Sequence, residues 1–120
     1  MSQDGGDRAH FLRASRDIEY VKANGRRTST PWFNLLVCRV EGNVSRVGIV
    51  VGKRFGMAVQ RNRAKRLFRE LSRHVRADFH GGYGLLVFPK RDALSVSFET
   101  LEQGWISTLR RLGVLRSRER

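Results

Sequence analysis

Cationic side chains that could bind phosphate recur at helical spacing between positions 61 and 76. Seven Lys and Arg residues lie in this stretch, and Glu70 is its single acid. Like charges four residues apart on a helix repel by about 0.2 to 0.5 kcal/mol per pair. Lys65 with Arg69 and Arg69 with Arg73 are both pairs of this kind. A solvated helix face normally mixes the two signs, so the pattern predicts a surface that binds a polyanion.

The same stretch has an apolar side, which predicts a helix over residues 59–79. With an advance of about 100° per residue, Leu67, Phe68 and Leu71 lie within roughly 60° of Ala64, and Val75 does too. This side is predicted to be buried in the core. The polar side carries Asn62 and the cations Arg66, Arg69, Arg73 and Arg76, with Arg63 and Lys65 at its shoulders and Arg61 nearer the apolar edge.

Side chains that would catalyse phosphodiester hydrolysis are scattered along the chain. The acids form no close pair of the kind that holds two metal ions. His10, His74 and His80 fall in a tail, on the basic helix and in a loop, with no carboxylate to orient them evident from the sequence. A single cysteine, Cys38, excludes an internal disulfide and a cysteine cage for zinc. We therefore predict no catalytic residue and no metal site in this chain.

The composition supports a nucleic-acid partner. The 120 residues include 24 Lys and Arg against 11 Asp and Glu, a formal net charge of +13. Such an excess favours nucleic acid or an anionic membrane. No apolar run approaches the roughly 18 residues of a membrane-spanning helix, and the first ten residues lack the apolar region of a secretion signal. We predict a cytoplasmic protein with no membrane partner.

The remaining pattern predicts one α+β domain. A short helix begins near Ser15 and ends at Gly25, and a basic loop covers residues 26–31. Strands are predicted over residues 33–40, 47–51 and 83–88, and a last helix over residues 98–112. Residues 1–10 and 114–120 are predicted to be flexible tails. The order is helix, two or three strands, basic helix, strand and helix, which predicts a two-layer domain with about four strands.

The central motif resembles a known signature. The run from Arg54 to Glu70, RFGMAVQRNRAKRLFRE, closely resembles the signature of the bacterial ribonuclease P protein subunit. Residues 12–25 resemble the first helix of that family, and residues 46–49 and 83–89 resemble the strands on either side of its signature. The similarity covers roughly residues 11–112. It implies a single domain with the order αβββαβα over residues 1–120, and a left-handed crossover through the basic helix.

The resemblance implies a protein cofactor of a ribozyme. In that family a catalytic RNA uses bound Mg²⁺ to remove the 5′ leader of precursor tRNA, and the protein holds both the RNA subunit and the leader. One protein per RNA is expected, with Mg²⁺ bound mainly by the RNA and no DNA partner. The residues that match the RNA-subunit surface are Lys53, Arg54, Arg61, Asn62, Arg63, Lys65, Arg66, Arg69 and Arg73.

A second family surface, the leader cleft, lies between the first helix and the sheet. The resemblance assigns it to Ile18, Lys22 and Leu36. The family usually has Phe at the position of Ile18 and can have an aromatic at that of Lys22, whereas Phe33 is predicted to face away from the cleft. This chain is therefore expected to hold the leader by charge and apolar contact more than by base stacking. Met57 also departs from the family, which commonly has a polar residue there.

Three other functions fit part of the sequence. A ribosomal-type RNA-binding protein would share the charge, the size and the fold class, and only the Arg-Asn-Arg signature argues against it. A nuclease acting alone would need a constellation of carboxylates or histidines. A DNA-binding protein would place the basic helix in the major groove, where base readout uses a few mixed polar side chains rather than a uniform row of cations.

Overall fold

The computed structural model describes residues 10–116 as a mixed sheet with helices on both faces. The helices are α1 (Ser15–Asn24), α2 (Ala58–His74) and α3 (Phe98–Arg111). The strands are β1 (Arg26–Ser29), β2 (Phe33–Arg39), β3 (Arg46–Ile49) and β4 (Tyr83–Pro89). Short 3-10 turns occupy Lys53–Phe55, Arg76–Asp78 and Arg91–Ser95. The predicted α+β class and the order αβββαβα are confirmed.

The four strands form one sheet in the order β1-β2-β4-β3. The pairs β1–β2 and β2–β4 are antiparallel, whereas β3 and β4 are parallel neighbours. The chain passes from β3 to β4 through α2, so the basic helix is the crossover of a strand–helix–strand unit. Its position in the chain therefore requires α2 to pack on the sheet.

An aromatic cluster joins α2 and α3 to one face of the sheet. Phe33 of β2, Phe68 of α2 and Trp105 of α3 are fully buried, with ring centroids 5.3 to 5.9 Å apart in edge-to-face pairs. Leu35 and Val87 share the sheet face of Phe33 and are also fully buried. This cluster is the centre of the hydrophobic core, and it holds the buried side of α2 in place.

Helix α1 covers part of the opposite sheet face, where a glycine permits a close approach. Val21 of α1 is 1% exposed, and a Cβ atom added to Gly84 of β4 would lie 2.9 Å from its Cγ2 atom. Leu36 lies under the end of the same helix, because a Cβ atom added to Gly25 would lie 3.1 Å from the Cβ atom of Leu36. Gly84 thus allows α1 to lie close to the sheet beside the predicted leader cleft.

The basic helix ends earlier than the sequence predicts. Its last residue is His74 rather than Phe79, and Arg76–Asp78 form a 3-10 turn. Phe79 is instead buried and pairs with Leu115, while the His80 amide donates a hydrogen bond to the Val114 carbonyl. These contacts with Val114 and Leu115 hold residues 79 and 80 in an extended conformation, so the helix cannot continue through them. The helical spacing of the sequence cannot predict such contacts.

Three further boundaries differ from the prediction. The predicted loop 26–31 contains strand β1, which pairs with β2 at the edge of the sheet. Its residues are polar and mostly exposed, so they lack the apolar alternation by which a strand is predicted from sequence. His10 is 3% exposed, and Val114 and Leu115 are 0% and 4% exposed, so these residues do not belong to tails. Buried apolar contacts hold all three against the domain. Arg116 is exposed, and its amide donates a hydrogen bond to the Asp78 carbonyl. The remaining residues of the two predicted tails, 1–9 and 117–120, lie outside the described part.

Candidate nucleic-acid interface

Helix α2 presents the predicted polyanion-binding face to solvent. Asn62, Arg63 and Arg66 are exposed, while Arg61, Lys65 and Arg69 are half-buried. On the opposite side Ala64, Phe68 and Leu71 are fully buried, Val75 is 6% exposed and Leu67 is half-buried against the core. The two-sided character of the helix is therefore confirmed. Burial of one side fixes the orientation of the other, so the cations form a row of defined geometry.

The start of α2 is held by hydrogen bonds to its own side chains. Gly56, with φ of 155°, turns the chain into the helix. The Arg61 guanidinium donates a hydrogen bond of 2.6 Å to the Gly56 carbonyl, and the Met57 amide donates one of 3.0 Å to Oε1 of Gln60. Arg61 thus has a structural contact as well as unused donors, since a guanidinium carries five N–H groups.

Lys53 and Arg54 extend the cationic surface beyond the helix. Both are exposed in the 3-10 turn Lys53–Phe55, which comes three residues before α2 begins. Phe55 is 8% exposed and anchors this turn in the domain. The predicted basic pair is therefore presented on a short anchored turn next to the basic helix.

Few acids oppose this surface. No Asp or Glu occurs between Glu41 and Glu70, a stretch that contains every predicted RNA-contacting residue except Arg73. Within residues 10–116, the structure forms no ion pair to Arg63, Arg66 or Arg69. Arg73 lies 3.8 Å from Glu70 and also places its guanidinium over the Phe11 ring. The positive potential is thus concentrated toward the first three turns of α2, where an anion would be attracted most strongly.

The three residues of the predicted leader cleft lie on α1 and on the sheet face that α1 covers. Ile18 and Leu36 are half-buried, and Lys22 is exposed with its Nζ atom 3.7 Å from Oε2 of Glu19. Ile18 and Lys22 share one helix face because they are four residues apart. Phe33 is fully buried against Phe68 and Trp105, so it faces away from the cleft as predicted.

The structure adds one aromatic residue to this sheet face. Leu36 pairs with Leu86, and Phe88, two residues further along β4, therefore lies on the same face. Phe88 is half-buried and pairs with Asn34 at the end of the strand. Sequence reasoning missed it because the pairing register of β2 with β4 cannot be read from either strand alone.

A groove of about 500 Å³ lies on the other side of α1 and was also not predicted. Tyr20, which is 51% exposed, and Tyr83 of β4 line it together with the connection between β2 and β3. The Arg39 guanidinium lies 4.9 Å from the centroid of the Tyr83 ring and donates a hydrogen bond to its hydroxyl. Tyr20 therefore lies on the side of α1 away from Ile18 and Lys22, since it is about 160° from each of them on the helix.

His74 has the carboxylate partners that the sequence did not reveal. Its Nδ1 atom lies 2.8 Å from Oε2 of Glu102 on α3, and its Nε2 atom lies 3.0 Å from Oε2 of Glu70. Both ring nitrogens are thus occupied by carboxylates, which leaves neither to exchange a proton with a substrate. The hydrogen bond that His74 donates to the Glu102 carboxylate raises the pKa of His74, desolvation opposes the rise, and the Glu70 carboxylate adds to it. His74 acts as a bridge between α2 and α3.

This bridge predicts a pH-dependent stability. Because the pKa of His74 is raised in the folded state, its stabilisation is complete below about pH 6.5 and disappears as the pH rises through the folded-state pKa. The side chain is 44% exposed, and solvent screening limits the effect to less than about 1 kcal/mol. In urea unfolding at about pH 6 and about pH 8.5, His74→Gln should remove part of the pH dependence of the free energy of unfolding. Equal pH dependence in His74→Gln and the parent would contradict the bridge.

Two negative findings concern the described residues alone. Over residues 10–116, no group of three or more His, Cys, Asp or Glu side chains has the geometry to hold a metal ion. In the same range, no helix is long and apolar enough to cross a membrane.

Known proteins match the chain over most of its length. The ribonuclease P family model matches residues 7–113. The ribonuclease P protein component of Chloroflexus aggregans is 34% identical over 113 residues, which are 93% of this chain and 84% of that protein. The RNase P protein from Thermotoga maritima superposes with a TM-score of 0.75 and 29% identity, covering 85% of this chain and 96% of that one. A Staphylococcus aureus RNase P protein mutant has the same fold, with a TM-score of 0.84, 21% identity and coverage of 94% and 96%.

Proposed function

The chain belongs to the ribonuclease P protein family, and on that basis we propose that it is the protein subunit of a bacterial ribonuclease P. In this role it binds the catalytic RNA subunit and the 5′ leader of precursor tRNA, and it assists the Mg²⁺-dependent removal of the leader. The observation that carries the proposal is the cationic face of α2, most of which lies within a stretch of 28 residues without an acid, from 42 to 69. Family membership gives the tRNA-processing role, and this face supplies the surface for the RNA subunit.

We assign the binding surface for the RNA subunit to α2 and to the turn Lys53–Phe55 before it. Arg63, Arg66 and Arg69 can each donate two parallel hydrogen bonds to a phosphate, a geometry that favours Arg over Lys. Asn62 carries both a donor and an acceptor, so it can contact a ribose or a base edge among these phosphate contacts. Lys53 and Arg54 continue the same positive surface. We assign Arg73 to the far end of this positive surface, where its guanidinium lies 3.8 Å from the Glu70 carboxylate.

We assign the binding site of the 5′ leader to the cleft beside α1. Ile18 and Leu36 supply apolar contact, and Lys22 supplies a charge that remains exposed beside Glu19. Phe88 offers one aromatic face on the same side of the sheet, where an unpaired base could stack. A single aromatic supports the expectation that charge and apolar contact carry more of the leader affinity than stacking does.

Catalysis is assigned to the RNA subunit. The occupied nitrogens of His74 support this, because this histidine has carboxylates on both ring nitrogens and so has no free position for general acid–base work. The protein's part is electrostatic: its cations neutralise RNA phosphates and so reduce the Mg²⁺ needed to fold the complex and hold the leader. One protein per RNA and a cytoplasmic location complete the proposal.

The assignment of the leader cleft predicts a defect specific to precursor tRNA. The test compares two affinities of the assembled ribonucleoprotein: that for a precursor tRNA with a leader of about five nucleotides, and that for the mature tRNA. The parent protein should raise the affinity for the precursor more than that for the mature tRNA. Lys22→Ala should reduce this preference several-fold, because one charge contact with a leader phosphate is lost.

Arg16→Ala is the matched control. It removes the same charge from α1, but at about 100° per residue it lies roughly 160° from Ile18 on the helix. It should leave the preference for precursor tRNA unchanged. If the parent protein raises both affinities equally, the proposed leader-binding function fails. A ribosomal-type protein would bind RNA without this preference.

A further inference from the structure

Two large apolar side chains are exposed where the basic helix begins. Met57 and Val59 are each 76% exposed, and Ala58 between them is exposed as well. Single exposed hydrophobic residues are common on protein surfaces and need no explanation. Here the exposed residues are consecutive. Among residues 10–116 the other exposed large hydrophobics are Tyr20, at 51%, and Val44, at 48%, and both are less exposed. We refer to Met57, Ala58 and Val59 as the apolar step.

The apolar step lies in line with the cations of α2. Val59 precedes Arg66 by seven residues, which places the two side chains within about 20° of each other on the helix. Asn62 and Arg63, three and four residues after Val59, flank the same line. Val59 is therefore at the centre of the basic face, one turn before its first exposed polar residues.

The fold itself does not require these side chains. At 76% exposure they contribute little to the core. The turn that carries them is ordered by other groups: Gly56 with φ of 155°, the Gln60 side chain and the Arg61 guanidinium. The step is thus presented on a backbone that is already fixed, so it can bury its apolar surface against a partner at little cost in conformational entropy.

We propose that Met57 and Val59 pack against the face of an unpaired nucleobase in the RNA that α2 binds, an inference that rests on the proposed function. Charge identifies the partner as a nucleic acid, since the surroundings of the step are cationic and no acid occurs from position 42 to position 69. Stacking hides base faces inside a duplex, whereas loops and bulges expose them. The neighbouring guanidiniums hold the flanking phosphates, and the flexible Met57 side chain adapts to the base.

The first test separates apolar contact from charge. The double variant Met57→Ser with Val59→Ser should bind an in-vitro-transcribed bacterial ribonuclease P RNA about tenfold more weakly than the parent. The slope of log affinity against log salt should stay the same, because no cation is removed. The thermal midpoint should not fall, because neither side chain is buried and Ser at position 57, the N-cap of α2, is a favoured helix-capping residue. Val44→Ser, at a residue that is 48% exposed outside the basic face, is the control and should bind as the parent does.

The second test identifies the contacted nucleotide. A photo-crosslinker attached to Val59→Cys, in a chain that also carries Cys38→Ser, should react with a nucleotide that is unpaired in the same RNA. Crosslinks confined to paired nucleotides, no crosslink, or full affinity of the double variant would each overturn the inference. These results differ from a failure of the proposed function, in which the parent protein itself would fail to bind the RNA.

Discussion

Replacement of Phe68 by Ala lowers the free energy of unfolding by about 3 to 5 kcal/mol. Phe68 is fully buried on α2, and its ring forms edge-to-face pairs with Phe33 at 5.8 Å and with Trp105 at 5.9 Å. The substitution leaves a cavity where one strand and two helices meet, and it removes two aromatic pairs worth about 0.5 to 1.5 kcal/mol each within that total. Since small domains are stable by only about 5 to 15 kcal/mol, much of the total stability is lost.

Urea unfolding followed by circular dichroism measures this effect. Tyr20→Ala is the matched control, because Tyr20 is an aromatic residue that is 51% exposed on α1. Its free energy of unfolding should stay within about 0.5 kcal/mol of the parent value. A Phe68→Ala protein that unfolds at the parent's urea concentration would show that this side of α2 is not the buried one. The orientation of the basic face would then be wrong as well.

Simultaneous replacement of Arg63 and Arg66 by Ala weakens RNA binding by about tenfold to a hundredfold at physiological salt. Both residues are exposed on α2, and within residues 10–116 neither forms an ion pair. Each phosphate contact that is lost should reduce the slope of log affinity against log salt by about 0.7 to 0.9 units. The double variant should therefore have a slope about 1.4 to 1.8 units shallower than the parent. The measurement is equilibrium binding to the ribonuclease P RNA over a range of salt concentrations.

Arg110→Ala with Arg111→Ala provides the control for net charge. Both residues are exposed in the last turn of α3, and their removal lowers the charge of the protein by the same two units. Binding that depends only on total charge would weaken equally in the two double variants. A large loss confined to Arg63 and Arg66 would identify α2 as the interface. An unchanged slope in that variant would remove α2 from it.

The basic helix illustrates what the sequence can predict. Its buried side follows from a spacing of 3.6 residues per turn, and Ala64, Phe68 and Leu71 are all fully buried. The exposed cations follow from the same periodicity. The end of the helix could not be predicted, because it depends on Phe79 pairing with Leu115, a contact between residues distant in the chain. Local periodicity carries no information about such a contact.

Contacts between distant elements account for the other differences. The polar sequence of β1 gives no strand signal, and the strand exists because β2 offers it a pairing edge. Glu102 reaches His74 from α3, 28 residues away in sequence. Phe88 joins the sheet face of the leader cleft through the register of β2 and β4. In each case the sequence gives the residue types, but the packing that brings these residues together cannot be predicted from it.

The most direct test of the central proposal is cleavage of a 5′-extended precursor tRNA at low Mg²⁺ concentration. Three reactions are compared: a bacterial ribonuclease P RNA alone, this protein alone, and the two together. We expect efficient removal of the leader only in the mixture, because the protein's cations replace part of the Mg²⁺ that the RNA alone requires. Cleavage by the protein alone, or binding to the RNA with no stimulation of cleavage, would contradict the proposal.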